Sequence, residues 1–287
     1  VQVIDGQNGA FVKENLVQLS RKIHQFIPNG VTFNQLGVMI DNTGGYANAI
    51  KSLRLSYDGD FEKSGTSTTT NGKIRVGGDT NLIPVDGYEA ESDYSVTELN
   101  QARIENRNLQ GELFKAHQDK YLRKLDTLIY DKLIGYTGFT KEDSPKTWAS
   151  MTDEELSDTL RNLVIKQRNA VSMGYEADVL VMPKDLKLRC ESSDYKALGE
   201  MSIAEKLAKT LGVRLVGTTK LKGVGTGGTD LVIAISSNED SMVIRVPKRL
   251  SISPVSRFGN KFYFEGSFRV AGLDILEDGA GYILDKM

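Results

Sequence analysis

An extended, glycine-studded stretch over residues 41–94 runs directly into a long amphipathic helix pattern over residues 109–136, and this order of parts constrains the chain more than its composition does. The extended stretch carries a polar loop, residues 58–72. Within it, residues 64–71 contain no apolar side chain, and Asn71-Gly72 is a strong turn signal. Before the loop, Ala47, Ala49, Lys51, Leu53 and Leu55 alternate onto one face and Ile50 onto the other, as in a strand exposed on one side. After it, residues 73–76 and 82–85 can return as two short strands. A hairpin of this length cannot bury both faces on itself, and loops this long are uncommon in compact domains unless they are functional. The pattern is that of an arm that needs neighbouring copies, and it points to assembly rather than catalysis.

The helix that follows has its apolar positions at Leu109, Leu113, Ala116, Leu125, Leu128, Ile129 and Leu133, bridged by Tyr121 and Leu122. Glu112, Lys115, Asp119, Arg123, Lys124, Asp126 and Lys132 fall on the other face, with basic and acidic residues matched. Gly135 and Gly138 lie where a helix accepts a left-handed cap. At about 1.5 Å per residue the helix spans roughly 40 Å, long enough to act as a spine. A shorter helical piece, opened by Thr97 and Glu98, precedes it and runs through Arg107.

On the N-terminal side, residues 2–8 read as a flexible leader. Phe11, Leu16, Leu19, Ile23 and Phe26 then recur at helical spacing until Pro28-Asn29-Gly30 ends the helix. On the C-terminal side, residues 140–151 read as a polar connector containing Pro145 and Trp148. Thr152 with Glu155 forms a capping box for a helix with the stripe Leu156, Leu160, Leu163 and Val164. Residues 177–182 read as a buried strand ended by Pro183. Ser202 and Glu205 open a helix over residues 203–211, and strands follow at residues 213–216 and 231–235. This alternation describes a mixed α/β subdomain. Residues 242–246, 250–253 and 261–270 are β-rich, with Phe262, Phe264 and Phe268 on one parity. There is no internal repeat, and the low-complexity tracts are residues 64–70 and 223–229.

Composition narrows the function classes. The chain has 287 residues and a net charge of -2, which argues against a protein built chiefly to grip nucleic acid through a basic face. No apolar run is long enough to cross a membrane. A single cysteine, Cys190, excludes an internal disulfide framework and a cysteine-rich zinc site. Gly223-Val224-Gly225-Thr226-Gly227-Gly228 superficially resembles a nucleotide loop, but a strand-like segment follows it where a helix is required. It reads as a flexible subdomain tip. His24 and His117 lie far apart, without metal-ligand spacing, and Cys190 has no histidine close in sequence. There is no Gly-x-Ser-x-Gly elbow. Glu154/Glu155 and Glu239/Asp240 suit helix capping and a turn better than acid/base chemistry. No catalytic, cofactor-binding or metal-binding residue is assigned and no cofactor is expected. A hydrolase or nucleotide enzyme is disfavoured by the missing motifs.

Taken together, the leader and short helix, the long two-stranded loop, the spine helix, the α/β subdomain with its glycine-rich tip and the β-rich return resemble the major capsid proteins of tailed bacteriophages. Tyr-Glu-Ala-Asp-Val-Leu-Val-Met-Pro over residues 175–183 and Arg245-Val246-Pro247 add to the resemblance. This fold is shared with encapsulin nanocompartments, which supply the alternative function of a cargo shell. The resemblance implies an α+β fold: an N-terminal arm and short helix over residues 1–40, an E-loop region over 41–94 and a P domain with the spine over 95–150. An A domain over 151–254 and strands returning to the P domain over 255–287 complete it. It implies hexamers and pentamers closing an icosahedral shell around double-stranded DNA, a virion location after assembly in the bacterial cytoplasm, and only weak, nonspecific DNA contact. Scaffolding segment, maturation protease, portal and decoration proteins are its expected partners. Lys63 and Lys73 flank the loop tip, but neither matches the lysine–asparagine cross-link of some capsids. A chain starting at Val1 fits the family habit of proteolytic maturation.

Overall fold

The computed structural model describes residues 30–58, 75–170, 175–192 and 201–287. The helix expected over residues 11–26, His24, Lys63, Lys73 and nearly all of the loop at 58–72 lie outside the described residues. The elements are strands β1 (Met39–Asp41), β2 (Ala49–Asp58), β3 (Arg75–Pro84) and β4 (Asp86–Ser95), then helices α1 (Val96–Ile104) and α2 (Leu109–Gly135). Next come β5 (Thr140–Asp143), α3 (Asp153–Ala170), β6 (Val179–Pro183), α4 (Lys184–Ser192), α5 (Ile203–Leu211), β7 (Arg214–Thr218) and β8 (Val232–Ile235). The chain continues through β9 (Met242–Arg245), β10 (Lys248–Ile252), β11 (Ser256–Phe258), β12 (Lys261–Val270), β13 (Gly272–Ile275) and β14 (Gly281–Asp285).

Two compact units emerge. The larger comprises Val31–Glu89, Lys120–Ser251 and Ser267–Met287; the smaller includes Ala90–Asp119 and Ile252–Gly266. At the centre of the larger unit is a five-stranded mixed sheet in the order β5-β14-β8-β6-β7. Its inner strands are buried on both faces, which is why they read as unbroken apolar runs. Val179 and Val181 of β6, Ile233 and Ile235 of β8, and Ile283 of β14 enter one core; Leu180 and Met182, Val232 and Ala234, and Tyr282 and Leu284 enter the other. The second core is closed by helices: Leu156, Leu160, Leu163 and Val164 of α3, Leu186 and Cys190 of α4, and Ile203 and Leu207 of α5. The first is closed by Leu125, Ile129, Tyr130 and Leu133 of α2, and by the three-stranded sheet β1-β9-β13 through Met242, Ile244, Leu273 and Ile275.

Local signals set the helix starts where they are strong. Thr152 and Glu155 bond reciprocally, at 2.9 and 3.2 Å, at the head of α3. Ser202 and Glu205 do the same for α5, and Gly212 ends it in the left-handed conformation. For α1 the cap is Ser95 with Glu98 rather than Thr97; a serine leaving a strand offers its hydroxyl two residues earlier.

Other expectations are corrected. On α2, Ala116 is exposed while Asp126 is buried, at 5% exposure. Asp126 accepts bonds from the amides of Thr32 (2.8 Å) and Phe33 (2.9 Å), so a carboxylate placed by periodicity on the solvated face serves the chain entering the core. Tyr130 hydroxyl pairs with Thr32 Oγ1 at 2.9 Å beside it. The returning arm of the hairpin is one strand, β3, in ten-pair antiparallel register with β2 from Ala49–Pro84 to Asp58–Arg75. Cross-strand bonds carry it through Gly77-Gly78-Asp79, which has little strand propensity. The connector over residues 140–151 contains edge strand β5, parallel to β14. Its polar side chains are spent on ion pairs, Glu142 with Lys166 and Asp143 with Lys286, both at 2.6 Å.

Leu125 and Lys124 test the spine's orientation. Leu125→Asp would place a carboxylate in the first core and is expected to destabilise the fold by about 4 kcal/mol or more. Lys124→Ala removes an exposed ammonium lying 4.9 Å from the Tyr88 ring and is expected to cost about 0.5–1 kcal/mol. Urea denaturation of both variants checks the contrast; equal losses would place the helix in another rotation.

Candidate assembly surfaces

The ribbon β2–β3 is a sheet of two strands, and its root is clamped. Arg269 donates to the carbonyl of Tyr46 (2.5 Å) and to Asn48 Oδ1 (3.0 Å), and the amide of Val85 donates to Asn48 O at 3.0 Å. Arg249 donates to Asn42 Oδ1 at 2.8 Å, and the Lys248 ammonium lies 5.4 Å from the Tyr46 ring centre. Below this, Arg245 bridges Asp41 and the buried Asp274. Burial works against the Asp41 carboxylate, but bonds from Thr43 and Arg245 outweigh it and hold its pKa below the ordinary value. The clamp fixes where the ribbon leaves the larger unit, while Leu82 remains 67% exposed on it. Beside the root, a groove of about 250 Å³ runs between Leu128, Lys132 and Tyr136 of α2 and residues 270–275, where β12 passes into β13.

The glycine-rich tract is not loose. Gly223, Gly227 and Gly228 take positive φ, and two carboxylates organise the turn they make. Asp285 accepts from the amide (2.9 Å) and hydroxyl (2.5 Å) of Thr226 and from Lys141 at 2.8 Å, with its own side chain fully buried. Asp230 accepts from the Gly223 amide at 2.8 Å and from the Trp148 indole at 2.9 Å. Position 225 must be glycine because a Cβ there would meet Asp285 Oδ1 at 2.3 Å. Of the amides that would cradle a phosphate in a nucleotide loop, those of Thr226 and Gly223 are taken by Asp285 and Asp230, and those of Gly225 and Gly228 by carbonyls of the turn itself. Burial raises the Asp285 pKa, but the bonds from Lys141, Thr226 and the Lys286 amide prevail and hold it far below the usual carboxylate range. Val224 stands out of this anchored turn, 45% exposed.

The residues weighed for chemistry are dispersed. Cys190 lies in the second core and burial pushes its thiol up to about 12, the opposite of an activated nucleophile. His117 is buried in the smaller unit, with Nε2 2.8 Å from Ser92 Oγ and its ring tilted against Phe264. Glu155 caps α3 and pairs with Lys146 at 2.6 Å. The Asp240 amide donates a turn bond to Asn238 Oδ1 at 2.9 Å. Among the described residues, no group of three or more His, Cys, Asp or Glu side chains is placed to hold a metal. Arg269, Asp285 and Asp230 carry the geometry of the surfaces, and sequence reasoning passed over all three. The one signal for Asp285 was a lone carboxylate closing the apolar run at residues 282–284.

A clamped ribbon, a long spine helix and a two-faced sheet bearing an anchored loop make up the architecture of shell-building capsid proteins. The capsid protein of Myoviridae phage XM1 superimposes with a TM-score of 0.83 at 36% identity, over 96% of this chain and 98% of that one. The capsid of cyanophage P-SCSP1u shares the fold at a TM-score of 0.68 and 10% identity, over 94% and 93% of the two chains. The virus-like particle from Pyrococcus furiosus shares it at 0.59 and 14%, over 88% and 92%. No curated protein matches the chain. Residues 64–286 match the family described as major capsid protein, and with the XM1 identity this establishes that the chain belongs to the major capsid protein family, as a shell protein of the virion capsid.

Asp285→Asn tests the loop anchor. The amide side chain still accepts from Thr226 but loses the charge facing Lys141, and a loss of about 1–3 kcal/mol is expected at neutral pH. A carboxylate whose folded pKa is depressed stabilises above its unfolded value and ceases to do so as pH falls through the folded one. The difference between wild type and variant is therefore expected to be constant above about pH 5 and to shrink progressively below about pH 4. Thermal melts across that range measure it, and a pH-independent difference contradicts the ionic anchor.

Proposed function

We propose that this protein builds the icosahedral head of a tailed phage, closing as hexamers and pentamers around double-stranded DNA. The observation that carries the proposal is the ribbon: two strands that pair only with each other among the described residues, project from a clamped root and leave Leu82 open. Laid over an adjacent subunit, such a ribbon gains strand edges and apolar area that its own chain does not provide. In this reading residues 41–94 are the E-loop region, 95–150 the P domain and 151–254 the A domain. The arm over residues 1–40 and the return strands over 255–287 complete the subunit, and the Gly223–Thr229 turn faces the capsomer centre. The role is structural, without a catalytic step. With a net charge of -2, contact with packaged DNA is weak and independent of sequence. A scaffolding segment, a maturation protease, a portal and decoration proteins are its proposed partners, with assembly in the host cytoplasm. The identity to the XM1 capsid favours a phage head over a cargo compartment, because the likeness to the Pyrococcus particle extends to the fold alone.

Replacing residues 58–72 with a short glycine turn tests the role of the ribbon. The expected outcome is an unchanged melting temperature with loss of closed particles in electron micrographs, because a polar tip contributes little to the core. Normal shells from the shortened chain, or loss of folding, would overturn this role.

A further inference from the structure

The turn over residues 223–229 is tied both within itself and to the strands beneath it. Inside it, the Gly225 amide donates to the Thr229 carbonyl at 2.7 Å and the Gly228 amide to the Gly225 carbonyl at 3.0 Å. The Thr229 hydroxyl donates to the Thr226 carbonyl, also at 3.0 Å. At the base, the Leu231 amide donates to the Leu221 carbonyl at 3.0 Å, and Asp230 and Met287 exchange backbone bonds at 3.1 and 3.3 Å. Asp285 links turn and base. It accepts from the amide and hydroxyl of Thr226, and Lys141 (2.8 Å) and the Lys286 amide (2.7 Å) hold it in turn.

Refolding this turn is costly in either direction. Lifting Thr226 away strips two donors from a carboxylate whose side chain is fully buried, and a buried charge that loses its partners is strongly unfavourable. Settling deeper is blocked as well, because the backbone at Gly225 already lies against Asp285 Oδ1. None of the seven residues carries a charged side chain, so neighbouring copies have no ionic handle with which to pull the turn into another shape.

A closed shell of hexamers and pentamers sets neighbours at two different angles around their axes. At equal spacing between neighbours, a ring of five is narrower than a ring of six. Either the turn changes shape between the two rings, or it keeps its shape and the opening on the axis changes width. We infer that the second holds: Asp285 keeps residues 223–229 in one conformation in every subunit, and the two kinds of ring differ in the width of their axial opening. This rests on the shell reading above, in which the turn faces the ring centre, and it makes Asp285 and Thr226 positioning residues for ring closure.

The test uses the full chain under conditions in which the unaltered protein forms particles. In an electron cryomicroscopy map, the five-stranded sheets of five-fold and six-fold subunits are superimposed. The backbone of residues 223–229 is expected to coincide within about 1 Å, as in other pre-organised contact surfaces. Both Thr226 bonds to Asp285 are expected in every subunit, with the narrower opening on the five-fold axes. Thr226→Val removes the hydroxyl bond and keeps the amide bond. It is expected to lower the melting temperature of the unassembled subunit by only a few degrees, and to replace a single particle diameter by a spread of sizes. Thr226→Ser, which keeps the hydroxyl, is expected to restore the single diameter. Two shapes of the turn, release of Asp285 in one kind of ring, or a single unchanged diameter from Thr226→Val would each overturn the inference and leave the shell reading standing. Failure of the unaltered chain to form particles at all would remove both.

Discussion

Burial of both faces of the five-stranded sheet is the constraint on which the rest of the structure depends. A sheet covered on one side could have left α2 as a surface helix and the three-stranded sheet as a separate hairpin layer. With Ile233, Ile235, Val179, Val181 and Ile283 all needing cover, the spine's second half and the β1-β9-β13 sheet are committed to that face, and α3, α4 and α5 to the other. The commitment has a geometric product. Elements packed on both sides give the larger unit a firm body, and the ribbon and the glycine-rich turn leave from defined places on it. For a shell protein this matters more than stability alone, since every subunit must present the same set of surfaces to its neighbours.

The polar anchors follow the same logic. Asp126, Asp274 and Asp285 are buried carboxylates, each costly to desolvate, and each is answered by fixed donors: the amides of Thr32 and Phe33, the Arg245 guanidinium, and Thr226 with Lys141. Hydrogen bonds to charged groups are stronger than neutral ones and tightly directional. They lie where the chain enters the core, where the ribbon is rooted, and where the tip is shaped. Packing sets how the body holds together, and these three aspartates set the direction of what leaves it.

Sequence alone reached the features whose causes are local. Thr152 with Glu155 and Ser202 with Glu205 find their partners within one turn, and Leu156, Leu160, Leu163 and Val164 declare a helix face by spacing. The hairpin was legible because its strands alternate and residues 64–71 of its loop carry no apolar side chain. What stayed hidden depends on distant partners. Asp126 serves amides 93 and 94 positions away, so periodicity put it on the wrong face. Asp285 binds Thr226 across 59 positions, so the glycine-rich tract looked loose when it was anchored. Strand β5 is polar because it lies at an edge, and it shows itself only once β14 is beside it. Among the assembly surfaces, the ribbon was readable from its excess length.

The position of β14 has a consequence for how subunits are made. Gly281–Asp285 lies between β5 and β8, so strand β5 has no pairing partner until residues 142 positions later arrive, as in the Tyr282–Thr140 and Ile283–Lys141 pairs. Pairings of such long range form slowly, because loop closure comes before any gain in contacts. A chain interrupted before residue 281 would keep its helices but leave the edge of β8 open and both cores unsealed. Incomplete chains would then be marked by their own exposed interior.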